Sequence, residues 1–251
     1  MIHVVLSSAL IAGASLLYAT AGQSGGTAFL AVMAFLAFPV EEMRPTSLVL
    51  NIAAATYATW RLHRRGAVDW TLLRRVGLPA LPAAFLGGLL ILGDRLYLSL
   101  TGIVLIAAAG LIGFRRGIDR GDPDATSGRG AVGLLPGGIA GGAAGFLSGL
   151  TGVGGGVFLA PVLITLGWAS PKRAAAISAP FILANSVVGL VGVLASGQRV
   201  PPEAAVLVPA ALLGAAVGTW IGLRYMSEKT TRWMLAGILA FAGVRLLLQG
   251  Q

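Results

Sequence analysis

The run Gly149-Leu150-Thr151-Gly152-Val153-Gly154-Gly155-Gly156, followed by Phe158, Leu159, Pro161 and Leu163, is the segment with the clearest chemical potential. Four of the five positions from 152 to 156 are glycine, and each one disfavours helix. Such a segment suits a chain that turns tightly inside protein, bares its backbone N–H groups and begins a new helix near Gly155 or Gly156. The first N–H groups of that helix have no intrahelical partner. Together with the positive end of the helix dipole they form an anion site that needs no buried arginine. The competing reading is packing, because small residues also let helices cross closely. Replacing Gly155 with alanine is expected to separate the two, since a true anion nest loses binding while much of the fold survives.

A weaker copy stands 130 residues earlier. Gly22-Gln23-Ser24-Gly25-Gly26-Thr27 aligns with Gly152 to Val157, poorer in glycine and richer in polar side chains. If the two copies meet near the bilayer midplane, Gln23, Ser24 and Thr27 add hydrogen-bonding groups to one shared site. Asn51 and Asn185 follow the copies and need partners within the protein; bonding between helices and contact with substrate both fit an amide there. Thr46, Ser47, Ser148, Thr151 and Ser178 rank lower, since hydroxyls can bond their own helix carbonyls. Pro161, Pro171 and Pro180 read as structural residues that shape broken or kinked segments.

Other chemistry lacks its residues. There is no cysteine, and His3 and His63 lie far apart, so no metal site is expected. None of the nine acidic residues falls in the middle of an apolar run, which leaves neither a buried proton carrier nor an oxygen cage for a metal cation. The glycine cluster lacks a following Lys-Ser/Thr, and no catalytic pair stands out, so neither an ATPase nor another enzyme is expected and no cofactor is implied.

The elements that must position these groups are membrane helices. Of 251 residues 56% are hydrophobic and 11% charged, against about 45–50% and about 25% in soluble domains. The formal charge of +9 sits in short gaps between apolar runs, which argues for membrane topology and against nucleic acid. Apolar segments fall at 4–20, 27–38, 46–60, 76–93, 97–114, 131–149, 155–168, 174–195, 203–223 and 231–248. Eight can span; 27–38 and 155–168 are short, the latter about 21 Å as helix. Each of the two follows a glycine cluster and reads as half of a broken helix, a re-entrant piece or a short span.

The positive-inside rule places the gaps 61–75 and 115–130 in the cytoplasm. Ten passes leave Arg44, Arg95, Arg199 and Arg245 outside and the other 14 of 18 basic residues inside. The expected fold is an all-α transmembrane bundle of two repeats, 1–125 and 126–251. Five passes per repeat make them inverted, a plan common among secondary transporters.

The segment Gly149 to Pro161, reading GLTGVGGGVFLAP, with Pro171-Lys172-Arg173-Ala174, Ser178 and Asn185 beyond it, resembles the TauE/SafE family of sulfite-exporter-type permeases. The first copy, with Arg44 to Ser47 after it, is similar to the family's duplicated plan. The resemblance implies a polytopic transporter of the bacterial inner membrane, with about eight helices, moving sulfite, sulfoacetate or related small anions. It marks Gly152, Gly154, Gly155, Gly156 and Pro161, with Gly22, Gly25 and Gly26 as counterparts. Ser24 stands where the second copy has Gly154, and Ala31 where it has Pro161, which puts equal contributions from the halves in doubt. The implied partners are a small anion and lipid; the coupling ion and homo-oligomerisation are left open. A passive anion channel and a structural or assembly membrane protein are the rival readings.

Overall fold

A computed structural model of the chain describes residues 2–20, 23–113 and 132–222, together with 237, 240, 241, 243–248 and 250. Every regular element among them is helical: α1 (Ile2–Thr20), α2 (Gly26–Phe35), α3 (Val40–Arg64), α4 (Trp70–Leu89), α5 (Asp94–Gly113), α6 (Leu134–Thr151), α7 (Gly156–Thr165), α8 (Pro171–Ala195) and α9 (Glu203–Gly222). Trp70–Leu89, Leu134–Thr151, Arg173–Ala195 and Glu203–Ile221 are each long and apolar enough to cross a bilayer. The protein is an all-α membrane protein. The gap at 115–130 and much of the segment at 231–248 lie outside the described residues, as does Gly22.

The segment expected at 46–60, one of the eight that can span but the shortest of them, is part of the 25-residue α3, about 38 Å long. Glu41 and Glu42 extend it at the start and Arg61 to Arg64 at the end, where each charge suits the helix dipole. Asp69 opens α4 by accepting from the Thr71 and Leu72 N–H groups, both at 3.0 Å. Ser170 opens α8 by accepting from the Arg173 N–H at 3.3 Å, with Pro171 at the helix start, where its missing N–H costs nothing. Of the broken and kinked readings for Pro180, the broken one does not apply, since α8 runs through it. The ring removes one helical hydrogen bond, but close packing on α3, α4 and α6 carries the helix across it.

The two short helices end alike. The Phe38 N–H donates to the Met33 carbonyl at 3.0 Å, and the Trp168 N–H to that of Leu163 at 2.8 Å. Each closure passes through a left-handed residue, Ala37 (φ 54°) after α2 and Gly167 (φ 67°) after α7.

Glycine sets the closest helix pairs. On α6, Gly141, Gly145 and Gly149 rest against the backbone carbonyls of Val76, Ala80 and Ala84 of α4, leaving no room for a Cβ. The contacts rise in the same order on both helices, so α4 and α6 run parallel. Likewise Gly214 and Gly218 of α9 rest on Ala12 and Leu16 of α1. Gly88 of α4 meets Gly189 and Gly192 of α8, and an Asp69–Arg173 ion pair joins the starts of these two helices. Two apolar cores result. One gathers side chains of α1, α2, α3, α5 and α9 with Val153 of the second break and Val157 at the start of α7; the other gathers those of α4, α6, α8 and the rest of α7.

Candidate functional site

The two glycine breaks meet. Between α1 and α2 the chain is non-helical at 23–25, with Gly25 left-handed (φ 95°) before α2. Between α6 and α7 it passes through three left-handed glycines, Gly152 (φ 81°), Gly154 (φ 89°) and Gly155 (φ 74°). A Cβ on Gly26 would strike the Val153 carbonyl oxygen and lie 2.6 Å from Asn51 Nδ2; one on Gly154 would lie 3.0 Å from the same atom. Asn51 therefore sits where the breaks touch.

Helix α3 supplies the groups that join them. The Ser47 hydroxyl donates to the Gly152 carbonyl at 2.8 Å and lies 3.3 Å from that of Gly26. Asn51 Nδ2 donates to the Gly152 carbonyl at 3.1 Å, and Asn51 Oδ1 has no hydrogen-bond partner among the described residues. From α5, the Tyr97 hydroxyl donates to the Thr151 carbonyl at 3.0 Å. Gln23 Oε1, Ser24 Oγ and Ser148 Oγ are also buried and without a partner among the described residues. A buried polar atom in that state costs about 1–3 kcal/mol unless a ligand or water meets it, so their grouping near the breaks marks a polar locus inside the bundle.

Not every candidate contributes equally. Thr27 shares a 2.6 Å hydrogen bond with the Tyr18 hydroxyl, which ties it to α1. Asn185 Nδ2 donates to the Phe181 carbonyl of its own helix at 2.8 Å, and Asn185 Oδ1 is unpartnered. From α8, Ile182 lies against Gly154 and Gly156 and Ser178 against Gly156, so α8 meets the second break chiefly with an apolar side chain, and the amide at the breaks comes from Asn51 of α3. At the start of α7 the Gly156 N–H turns back to the Gly154 carbonyl at 3.0 Å, while the Phe158 and Leu159 N–H groups both reach that of Gly155 at 3.1 Å. Neither Gly25 nor Gly155, the residues that precede α2 and α7, has a side-chain cap.

Gly155 carries a positive φ, and a Cβ there would lie 2.8 Å from the Ala144 carbonyl and 3.1 Å from the Phe181 ring. Alanine at 155 thus damages the fold whatever the glycine does, and the expected separation of nest from packing by that change does not hold.

Arg44 was not singled out by sequence reasoning. It is 2% exposed, and its guanidinium donates to the carbonyls of Leu90 (2.7 Å), Gly87 (3.1 Å) and Gly88 at the end of α4. A Cβ on Gly152 would lie 3.0 Å from the Arg44 carbonyl oxygen and 3.5 Å from its Cγ. The available signal was slight: Arg44 stands in a polar gap two residues after Glu42 and just before Pro45, where a charge reads as solvated. Above it, a cleft of about 80 Å³ is lined by Glu41, Arg44, Asp94, Tyr97 and Gln198.

A helical membrane bundle in which two broken helices meet at a buried polar locus is the architecture of a membrane transporter. The chain belongs to the TauE/SafE family: the family described as sulfite exporter TauE/SafE matches residues 6–246. It is 33% identical to the "Probable membrane transporter protein y4hK" of Sinorhizobium fredii, over 93% of this chain and 94% of that one. It is also 33% identical to the "Probable membrane transporter protein YunE" of Bacillus subtilis, over 53% of this chain and 46% of that one. No solved structure matches.

Proposed function

We propose that this membrane transporter is a secondary carrier that exports a small anion, such as sulfite, an organosulfonate or another small organic anion, across the cell membrane. The observation that carries the reading is the meeting of the two breaks at Asn51 and Ser47. Backbone, amide and hydroxyl groups converge there, and the one charge beside them, on Arg44, is turned to the carbonyls at the end of α4, which suits an anion that must be released as well as bound. Burial of 23–31 and 152–157, apart from the two ends of the bundle, supports a carrier over a passive channel, because the locus is enclosed.

Packing also supports inverted repeats over 1–125 and 126–251. The fourth helix of each half packs along the first helix of the other, α4 on α6 and α9 on α1, while α3 packs on α8. A two-fold axis lying in the membrane plane produces that exchange. Transport then shifts the α1/α2/α3/α5/α9 core against the α4/α6/α7/α8 core, opening the breaks to one side at a time.

The test is thermal stability of the detergent-purified protein against sulfite, sulfate, thiosulfate, sulfoacetate, acetate, phosphate and chloride at constant ionic strength. A saturable shift with one or two anions, lost in Asn51→Leu, is expected, with saturable flux and counterflow in liposomes. Selective stabilisation by none of them, in folded and monodisperse protein, overturns the anion reading; flux without saturation or counterflow overturns the carrier in favour of a channel.

A further inference from the structure

Arg44 is a buried cation, and among the described residues no carboxylate pairs with it. Its position is specific in three ways. Its side chain reaches from α3, in one core, to the carbonyls that end α4, in the other. Its backbone and stem lie on Gly152, the first residue of the second break. It also lines the cleft whose wall carries Glu41 and Asp94, two carboxylates that could hold a guanidinium and do not. Arg44 Nε and Gln198 Oε1 at this cleft are buried without partners among the described residues.

We propose that Arg44 is the gate between this cleft and the glycine-break site, held shut by the carbonyls of Gly87, Gly88 and Leu90 and held open by Glu41 and Asp94. The proposal rests on the reading of the breaks as the transported anion's site. In the closed state the guanidinium caps the negative end of α4 and ties the two cores together directly above Gly152. Opening requires those bonds to break, and a buried charge cannot be left bare. The two carboxylates offer the exchange, since a guanidinium–carboxylate pair supplies charge-assisted hydrogen bonds stronger than those to neutral carbonyls. The cleft thus holds both sets of partners for one side chain, which is what a two-position gate needs. Arg44 acts here as a positioning residue, through the cores it joins.

The chain has no cysteine, so a single reporter can be placed at will. Ser24, 1% exposed in the first break, becomes the reporter as Ser24→Cys in proteoliposomes. It is treated with the membrane-impermeant reagent 2-sulfonatoethyl methanethiosulfonate from each side in turn. With Arg44→Gln, labelling from the Glu41–Asp94 side rises at least tenfold and labelling from the opposite side does not; Arg44→Lys gives an intermediate rate. The pair Glu41→Gln with Asp94→Asn slows labelling from that same side several-fold, and Glu42→Gln leaves it unchanged. A merely structural Arg44 would raise labelling equally from both sides, and that result overturns the proposal, as does an unchanged rate in the carboxylate pair. If Arg44→Gln fails to fold, the carboxylate pair still decides. No transported anion is added, and the reagent's own sulfonate works against the expected changes, since Arg44→Gln removes a cation and the carboxylate pair removes two anions; the readout is the ratio of rates from the two sides, which is separate from the thermal shift that tests the anion site.

Discussion

Asn51 and Ser47 share the Gly152 carbonyl, so losing one leaves the other as its partner. Asn51→Ala is accordingly expected to cost about 1 kcal/mol, a fall of about 2–4 °C in melting temperature, while abolishing any anion-dependent shift. Retention of that shift would remove Asn51 from the site. Ala37 holds a left-handed backbone where α7 is followed by glycine, and such a conformation costs an L-residue about 1–2 kcal/mol. Ala37→Gly should raise stability by about 0.5–1 kcal/mol, since glycine's own chain entropy offsets part of the relief. Asp69 governs the response to acid at the basic end. Burial pushes its carboxyl up, but the Leu72 N–H, the Arg173 guanidinium and the Thr71 N–H together hold it below the usual carboxylate range. Its contribution is therefore present above the ordinary aspartate value, about 3.9, and is lost as pH falls through the lowered one. Arg173 is half exposed, which keeps the pair's worth to at most about 1 kcal/mol. In Asp69→Asn, melting temperature should be slightly lower at pH 7 and converge on that of the natural protein in strong acid.

Among the elements, the α4–α6 seam is the most sensitive to added volume. A methyl at Gly145 meets the Ala80 backbone, which cannot rotate aside, so Gly145→Ala should cost about 1–3 kcal/mol or fail to accumulate. A methyl on Gly13 of α1 would have nothing within 4 Å of it, and Gly13→Ala should stabilise that helix by about 0.5–1 kcal/mol. Comparing folded yields of the two variants by size-exclusion profile checks both. The same contrast explains what could be read beforehand. The break at 152–155 announces itself by glycine density, so helix and break were legible; the recurrence of Gly137, Gly141, Gly145 and Gly149 every four residues marked the seam as well, and the sequence reading passed over it. The seam's partner was not legible, because α4 meets it with Val76, Ala80 and Ala84, residues no pattern distinguishes from lipid-facing ones. Asn51 was legible as a buried amide in need of a partner. Its unlikeness to Asn185 was not, since that depends on which face of α8 turns to the break. Arg44 escaped because its partners are main-chain carbonyls, which leave no mark in a sequence.

For the molecule as a whole, the proposed carrier mechanism makes the two cores, and not the two sequence halves, the units that move. A disulfide or mercury bridge within a core, such as Ser15→Cys with Ala211→Cys, should leave most transport intact. One across the α3–α8 contact, Leu48→Cys with Gly189→Cys, should stop it until reduced. Equal inhibition by both bridges would mean that the bundle moves some other way. The comparison works in reconstituted vesicles, with oxidation and reduction of the same sample as its own control.

The pairing of α1 with α9 also imposes a schedule on biogenesis. The ribosome must add about 180 residues after α1 leaves it before α9 emerges, roughly 10–40 s at about 5–20 residues per second. Throughout that interval the glycine-docking face of α1 has only lipid, the insertion machinery or a chaperone to cover it. Neither half can complete a core by itself, so fragments 1–122 and 123–251 should each be degraded when expressed alone. Made together in one cell, they should protect each other and restore transport, because everything either fragment lacks is carried by the other.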